Sequence, residues 1–252
     1  KRPRLVKAQT RPYDQTAQYI IASHPHGILN YGWWNIFARA RDGISSCFDG
    51  LELIMCMAPA VQWYPLYGEL LEDRGTDASA GTIRRILRDT KLSPAIIPGG
   101  FSEATYTAAR PDIEYSYIGD RTGFLRIAIE AHVDIIVAYT YGLNDMYHTA
   151  ERHRHWRAVK AQAWGIPLVF WWGPLGPLSN VPFAAGENVS VVTFDPFPAS
   201  KYTLDRLAEA HADYLVYLKR CFDSRKAEMG CGHKELVFVG RHGPLQPTHS
   251  RL

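Results

Sequence analysis

Cysteine is scarce and scattered. The four cysteines of the 252-residue chain, Cys47, Cys56, Cys221 and Cys231, form no CxxC pair, which fits reduced thiols better than a disulfide framework or a zinc ribbon. Long hydrophobic runs are also missing. No stretch of about 18 apolar residues occurs, so no segment reads as a simple membrane-spanning helix. Excess charge is missing as well: 28 basic against 25 acidic residues leave a net charge of +3, too little for the field of a nucleic-acid binder. There is no internal repeat, linker or low-complexity tract, and one domain over 1–252 is the simplest organisation. The opening KRPRLVKAQTR reads as the remnant of a cleaved targeting segment or of a longer N-terminal region.

Short apolar runs alternate with helical patterns, the signature of an α/β fold with a central, mostly parallel or mixed sheet flanked by helices. Strands are expected at 19–23, 51–56, 93–97, 134–139 and 188–194. Helices are expected over 30–41, 60–74 and 79–90, from an N-cap at Asp120, and over 203–228. In the last of these Leu204, Leu207, His211, Leu215, Leu218 and Phe222 recur at three and four, with Gly230 as the stop. One segment, 164–178, is rich in tryptophan, proline and glycine. It suits either a buried aromatic loop or contact with a membrane interface.

Three expected strands end in polar turns: HPHG at 24–27, PGGFSEA at 98–104 and YGLND at 141–145. Ligands of open α/β sheets bind beyond the carboxyl ends of the strands. His24 and His26 carry imidazoles, whose ordinary pKa suits base chemistry near neutrality. Gly99 and Gly100 permit close approach of backbone N–H groups to a developing oxyanion, and Glu103 follows as a carboxylate able to orient an imidazole. Arg121 in a helical first turn is unfavourable without an anion, which is either a bound phosphate or, for an exposed arginine, simply Asp120 beside it. The histidines of YHTAERHRHW (His148, His153, His155) read as a solvated, charged surface rather than a metal site. Ser102, in Gly100-Phe-Ser-Glu-Ala104, comes near a nucleophile elbow, and Asp195 with His211 or His233 would complete a serine-hydrolase triad. That reading leaves HPHG unexplained.

The segments YIIASHPHGIL (19–29), IIPGGFSEA (96–104), DRTGFLRIAIEAHVDIIVAYTYGLND (120–145) and MGCGHKELVFV (229–239) together resemble the diacylglycerol O-acyltransferase type 2 family, which includes monoacylglycerol and wax-alcohol acyltransferases. The resemblance implies a glycerolipid-acyltransferase-like sheet, an acyl-CoA co-substrate with no further cofactor or metal, and a lipid alcohol as acceptor. It carries His24, Pro25, His26 and Gly27 as the active-site motif with Gly99, Gly100 and Glu103. It places Arg121, Gly123, Phe124 and Arg126 as CoA-binding residues. In the scheme it suggests, His24 is the base, with His26 in reserve, and Glu103 orients it. Peripheral contact with a membrane follows, at the cytosolic face of the endoplasmic reticulum or on another organelle, and no nucleic-acid partner. The chain departs from the family pattern in lacking a membrane hairpin, in carrying Leu143 where an acidic residue is usual, and in reading Pro182-Phe-Ala-Ala-Gly-Glu187 where an arginine-proline segment is usual. These departures favour, as the alternative, an accessory subunit of a membrane complex that has kept the fold.

Overall fold

The computed structural model describes residues 4–30, 32, 48–58, 75–107, 110–178 and 189–245. The expected helices at 30–41 and 60–74, Cys47 and the segment 182–187 lie wholly or almost wholly outside these residues. In chain order the elements are β1 (Arg4–Lys7), β2 (Tyr19–His24), β3 (Leu53–Met57), β4 (Gly75–Asp77), α1 (Ala80–Asp89), β5 (Ser93–Ile96) and α2 (Gly100–Tyr106). There follow β6 (Ile113–Ser116), α3 (Gly123–Glu130), β7 (Asp134–Tyr141), β8 (His148–Thr149), α4 (Arg154–Trp164), β9 (Trp171–Gly173) and β10 (Gly176–Pro177). The chain continues with β11 (Ser190–Phe197), α5 (Leu207–Arg225), β12 (Glu235–Gly240) and β13 (Gly243–Pro244).

Among the described residues the main sheet has seven strands in the order β1-β11-β7-β2-β5-β3-β4. Every neighbouring pair runs parallel except β11 with β7. The sheet is therefore mixed but mostly parallel, as the alternation of apolar runs and helical patterns implies. Because β2 lies between β5 and β7 and parallel to both, the carboxyl ends of all three meet at one edge of the sheet.

Side-chain alternation divides β2 between two cores. Ile20 and Ala22 face a helical layer built from Ile83, Ile86 and Leu87 of α1, Leu125 and Ala128 of α3, and Leu218 and Phe222 of α5. Ile21 faces the opposite side with Met55, Ala95, Ile136, Ala138 and Phe48. His24 shares the parity of Ile20 and Ala22, so its ring enters the helical layer beside α5.

Several boundaries differ from the sequence reading. Ser79 caps α1, its hydroxyl accepting from the Thr82 N–H at 3.2 Å, in line with the expected start. Asp120 does not cap α3. A turn closed by the Arg121 N–H on Ile118 O intervenes, the helix begins after Thr122, and the Asp120 carboxylate accepts from the Arg241 N–H at 3.0 Å. The long C-terminal helix starts later than expected, at Leu207 after a 3-10 turn, which leaves Leu204 46% exposed. At its far end the Cys231 N–H reaches back to Lys226 O at 2.7 Å, with Gly230 at φ +79°, where glycine avoids the Cβ clash. A second sheet, β13-β12-β6, escaped the sequence reading because its parallel pair β6–β12 joins segments about 120 residues apart. The described cysteines, Cys56, Cys221 and Cys231, are free and buried. No helix among the described residues is long and apolar enough to cross a membrane.

Candidate active site

The carboxyl edge of β2, β5 and β7 brings the HPHG turn, the start of α2 and the turn after Tyr141 together. Leu143 packs onto Gly27: a Cβ at Gly27, which sits at φ +64°, would lie 2.6 Å from Leu143 Cγ. The residue that departs from the family pattern is thus buried packing against the motif.

Glu103 is buried in the first turn of α2, and it gathers three donors. Its Oε2 accepts from the His26 backbone N–H at 2.6 Å, and its Oε1 accepts from the Ser116 hydroxyl and the Tyr117 N–H, both at 2.8 Å. Room for this fold-back exists only because residue 99 is glycine; a Cβ there would fall 2.3 Å from Oε2. Burial raises the Glu103 pKa, opposed by its hydrogen bonds to Ser116, His26 and Tyr117 and by the charge of Arg121. The sequence reading paired Glu103 with an imidazole. The carboxylate instead fixes the backbone of the HPHG turn.

The two histidines differ in access. His24 is fully buried, and its Nε2 shares a 2.9 Å hydrogen bond with the Tyr214 hydroxyl of α5. Its Nδ1 is buried without a partner among the described residues, and burial pushes its pKa down to about 3. His26 is only partly buried. Its Nδ1 lies 2.8 Å from Gly27 O; a carbonyl only accepts, so Nδ1 carries the proton and Nε2 keeps its lone pair. Burial pushes the His26 pKa down to about 4, against the opposing pull of that carbonyl. The imidazole is therefore neutral at physiological pH and has one fixed tautomer.

Of the two glycines considered for an oxyanion, Gly100 has its N–H turned to Ile97 O at 3.2 Å, away from that role. The four residues assigned to CoA separate. Arg121 lines a cavity of about 370 Å³ together with Ser102, Tyr117, Gln162, Asp120 and Arg241. Its Nη2 donates to Ser102 Oγ at 2.8 Å and Gln162 Oε1 at 3.0 Å, while its Nε is buried without a partner among the described residues. Phe124 is in the core, edge-on to Tyr214 at 5.0 Å, and Gly123 and Arg126 are exposed. None of these three lines the cavity.

The serine-hydrolase arrangement is not assembled. Ser102 is buried within α2 and accepts from Arg121, His211 lies 3.0 Å through Nε2 from Ile118 O, and Asp195 accepts from Thr10. The histidine-rich segment is not wholly solvated either. His148 and His153 are exposed, but His155 reaches Arg241 O at 2.9 Å, and Arg157 is buried within α4.

Sequence reasoning missed a second buried cluster. Lys234, 3% exposed, places its ammonium 2.6 Å from both Asp145 oxygens and 3.3 Å from Glu114 Oε2. The Asn144 amide donates to Glu114 Oε1 at 2.7 Å. Burial pushes the Glu114 pKa up to about 7, opposed by the Lys234 charge. The available signal was the charge itself: Lys234 abuts the apolar strand Leu236–Val239, and Glu114 interrupts β6. A buried charge requires a partner.

An open, mostly parallel sheet that delivers polar turns from three adjacent strands to one edge defines an α/β protein of the kind whose ligand sites lie beyond the carboxyl ends of the strands. The chain belongs to the diacylglycerol acyltransferase family, whose model matches residues 4–239. It is 27% identical over 248 residues to mouse diacylglycerol O-acyltransferase 2-like protein 6, covering 90% of this chain and 71% of the relative. It is 26% identical to human acyl-CoA wax alcohol acyltransferase 2 (88% and 70% covered) and 26% identical to human 2-acylglycerol O-acyltransferase 3 (90% and 69% covered). No solved structure gives a significant match.

Proposed function

We propose that the protein is an acyl-CoA-dependent O-acyltransferase that esterifies a lipid-like alcohol, with His26 as the general base. The observation that carries this reading is the His26 imidazole, partly open to solvent, with its proton held on Nδ1 by Gly27 O and its backbone held by Glu103. The role passes from His24 to His26 because His24 is sealed beneath the turn with Nε2 occupied by Tyr214. In the reaction His26 Nε2 takes the proton of the acceptor hydroxyl as that oxygen attacks the thioester carbonyl. Collapse of the tetrahedral intermediate breaks the C–S bond, and the CoA thiolate leaves with the proton returned by the imidazolium. The thioester supplies its own leaving group, so the scheme uses no cofactor beyond the co-substrate. The Arg121 and Arg241 cavity, lined by Ser102 next to Glu103 on α2, suits the CoA phosphates.

The test incubates purified protein with radiolabelled acyl-CoA and a mixture of alcohols that includes diacylglycerol. Labelled ester is expected from the wild type, with turnover in His26→Ala lower by about a thousandfold and the circular-dichroism spectrum unchanged. A folded His26→Ala protein with full turnover would overturn the assignment of the base. A folded wild type that makes no ester from any acceptor would overturn the enzyme in favour of an accessory subunit.

A further inference from the structure

The segment that left open a buried loop or a membrane contact is neither buried nor irregular throughout. Large apolar side chains are exposed along one continuous stretch: Trp156 at 54%, Trp164 at 58%, Phe170 at 60%, Leu175 at 78% and Leu178 at 59%. They belong to α4 and to the small β9–β10 hairpin, whose tip carries Leu175. Trp156 and Trp164 meet edge to face at 6.4 Å on the outer side of α4. Two separate apolar spots would be unremarkable on a soluble protein. Here Arg157 joins them, since its buried guanidinium donates from α4 to Ala150 O and Leu168 O and lies over the Phe170 ring. Helix and hairpin therefore present their aromatic side chains as one fixed surface.

Charge selects the occupant of this surface. From Arg152 to Leu178 the chain contains no aspartate or glutamate, but it contains Arg152, Arg154, Arg157 and Lys160. Arg154 is stacked over Tyr106 and Tyr115, and Arg157 is buried. Lys160 lies one helical turn from both Trp156 and Trp164, with exposed Arg152 just before the helix and Arg241 tied to α4 through its carbonyl by His155. The nearest acid in sequence, Glu151, is paired with Arg110. Exposed tryptophan, phenylalanine and leucine with cations at their border match the headgroup region of a bilayer, where aromatic rings settle at the polar boundary and basic side chains meet lipid phosphates.

We propose that the outer face of α4 and the β9–β10 hairpin together form a docking surface for an anionic lipid bilayer. The inner side of the same helix lines the Arg121 cavity through Val159, Gln162 and Ala163 and packs against α2, which carries Glu103. Docking would set the mouth of that cavity beside the lipid surface. The proposal deepens the lipid-acyltransferase reading by naming where the membrane meets the protein, and its primary readout is binding, independent of turnover.

The test floats the protein with vesicles of phosphatidylcholine, with and without phosphatidylserine, and records tryptophan emission. Flotation with the phosphatidylserine vesicles and a blue shift are expected, with partitioning reduced about tenfold in Leu175→Asp and in Trp164→Ser, and less in Lys160→Glu. The Leu175→Asp and Trp164→Ser variants are expected to retain wild-type turnover on detergent-dispersed substrate and to lose it on vesicle-embedded substrate. Equal flotation of wild type and Leu175→Asp would overturn the surface assignment. A wild type that ignores vesicles but dimerises, with Leu175→Asp monomeric by sedimentation, would overturn it in favour of contact between two copies of the chain. Should no variant or substrate give turnover while flotation behaves as stated, the acyltransferase reading fails and the docking surface stands.

Discussion

Two buried carboxylates, one at the edge of the main sheet and one on the small sheet, are held in opposite ways. Glu103 is hydrogen-bonded by neutral dipoles, two backbone N–H groups and a serine hydroxyl, with the Arg121 charge acting only from beyond them. Glu114 faces a buried ammonium, Lys234, which Asp145 also engages. Neutral donors stabilise a carboxylate without cancelling its charge, so under the proposed mechanism the field of Glu103 would act on an imidazolium formed on His26. The Glu114 charge is offset at source and reaches little beyond its cluster. One arrangement holds the HPHG turn and leaves a charge beside it, and the other fastens β6, β12 and the turn after β7 to one another.

Removing each anchor tests this contrast, and the largest effect is expected at Glu103. Glu103→Ala leaves the His26 N–H, the Tyr117 N–H and the Ser116 hydroxyl buried without an acceptor, which costs about 4 kcal/mol in urea unfolding. Glu103→Gln restores an acceptor for part of this set and should cost about half as much. It should also lower turnover through loss of the negative charge. A Glu103→Gln protein with wild-type turnover would show that the carboxylate only holds the turn.

At the second cluster, Lys234→Met is expected to cost about 3 kcal/mol, because it leaves two acids facing each other without a cation. Adding Glu114→Gln should recover much of that loss, as expected of an ion pair that fastens structure. If the double variant is as unstable as the sum of the singles, the two residues are not coupled. Turnover of the folded fraction should change little in either.

The smallest expected effect is on the pH dependence of stability. His24 and His26 titrate in the folded protein at about 3 and about 4, below the ordinary 6.5, because burial disfavours the imidazolium. Between those limits the unfolded chain binds more protons, so their contribution is complete above pH 6.5 and is lost as the pH falls. Glu114 acts in the opposite sense, since its pKa, raised to about 7, lets the folded state hold a proton first. Its term favours folding as the pH drops from 7 towards 4.5. Glu103, also raised, shares that direction. The urea midpoint should therefore fall most steeply below pH 4.5, and His26→Asn should flatten the part of the fall above about pH 4, leaving the part between 4 and 3 to His24. An unchanged slope in His26→Asn would mean that His26 protonates freely in the folded state.

The readable parts of the fold were those whose evidence is local. The strands ending at His24, Ile96 and Tyr141 and the helix capped by Ser79 are set by short apolar runs, turn residues and a capping hydroxyl within a few positions. The meeting of the HPHG turn with the glycine-glutamate turn was also legible, because parallel strands deliver their ends to one edge. What Glu103 does there was not, since spacing does not say whether a carboxylate reaches a ring or a backbone N–H. The Lys234–Glu114 pair was out of reach because its members are 120 residues apart. The dense charge around residues 151–157 concealed α4, and only packing distinguishes the buried Arg157 from its exposed neighbour Arg152.

The position of β1 bears on how the chain is made. Its described ladder is to β11 alone, with Arg4 opposite Ser190 and Lys7 opposite Thr193, while β11 completes its own pairing with β7 only through Phe197. During synthesis β1 must wait for this partner until nearly two hundred further residues have followed it out of the ribosome. By then the central strands β2, β5 and β7 are all available to pair. On this topology the sheet fills outward from its middle, and β1, made long before its partner, is among the last strands to be seated.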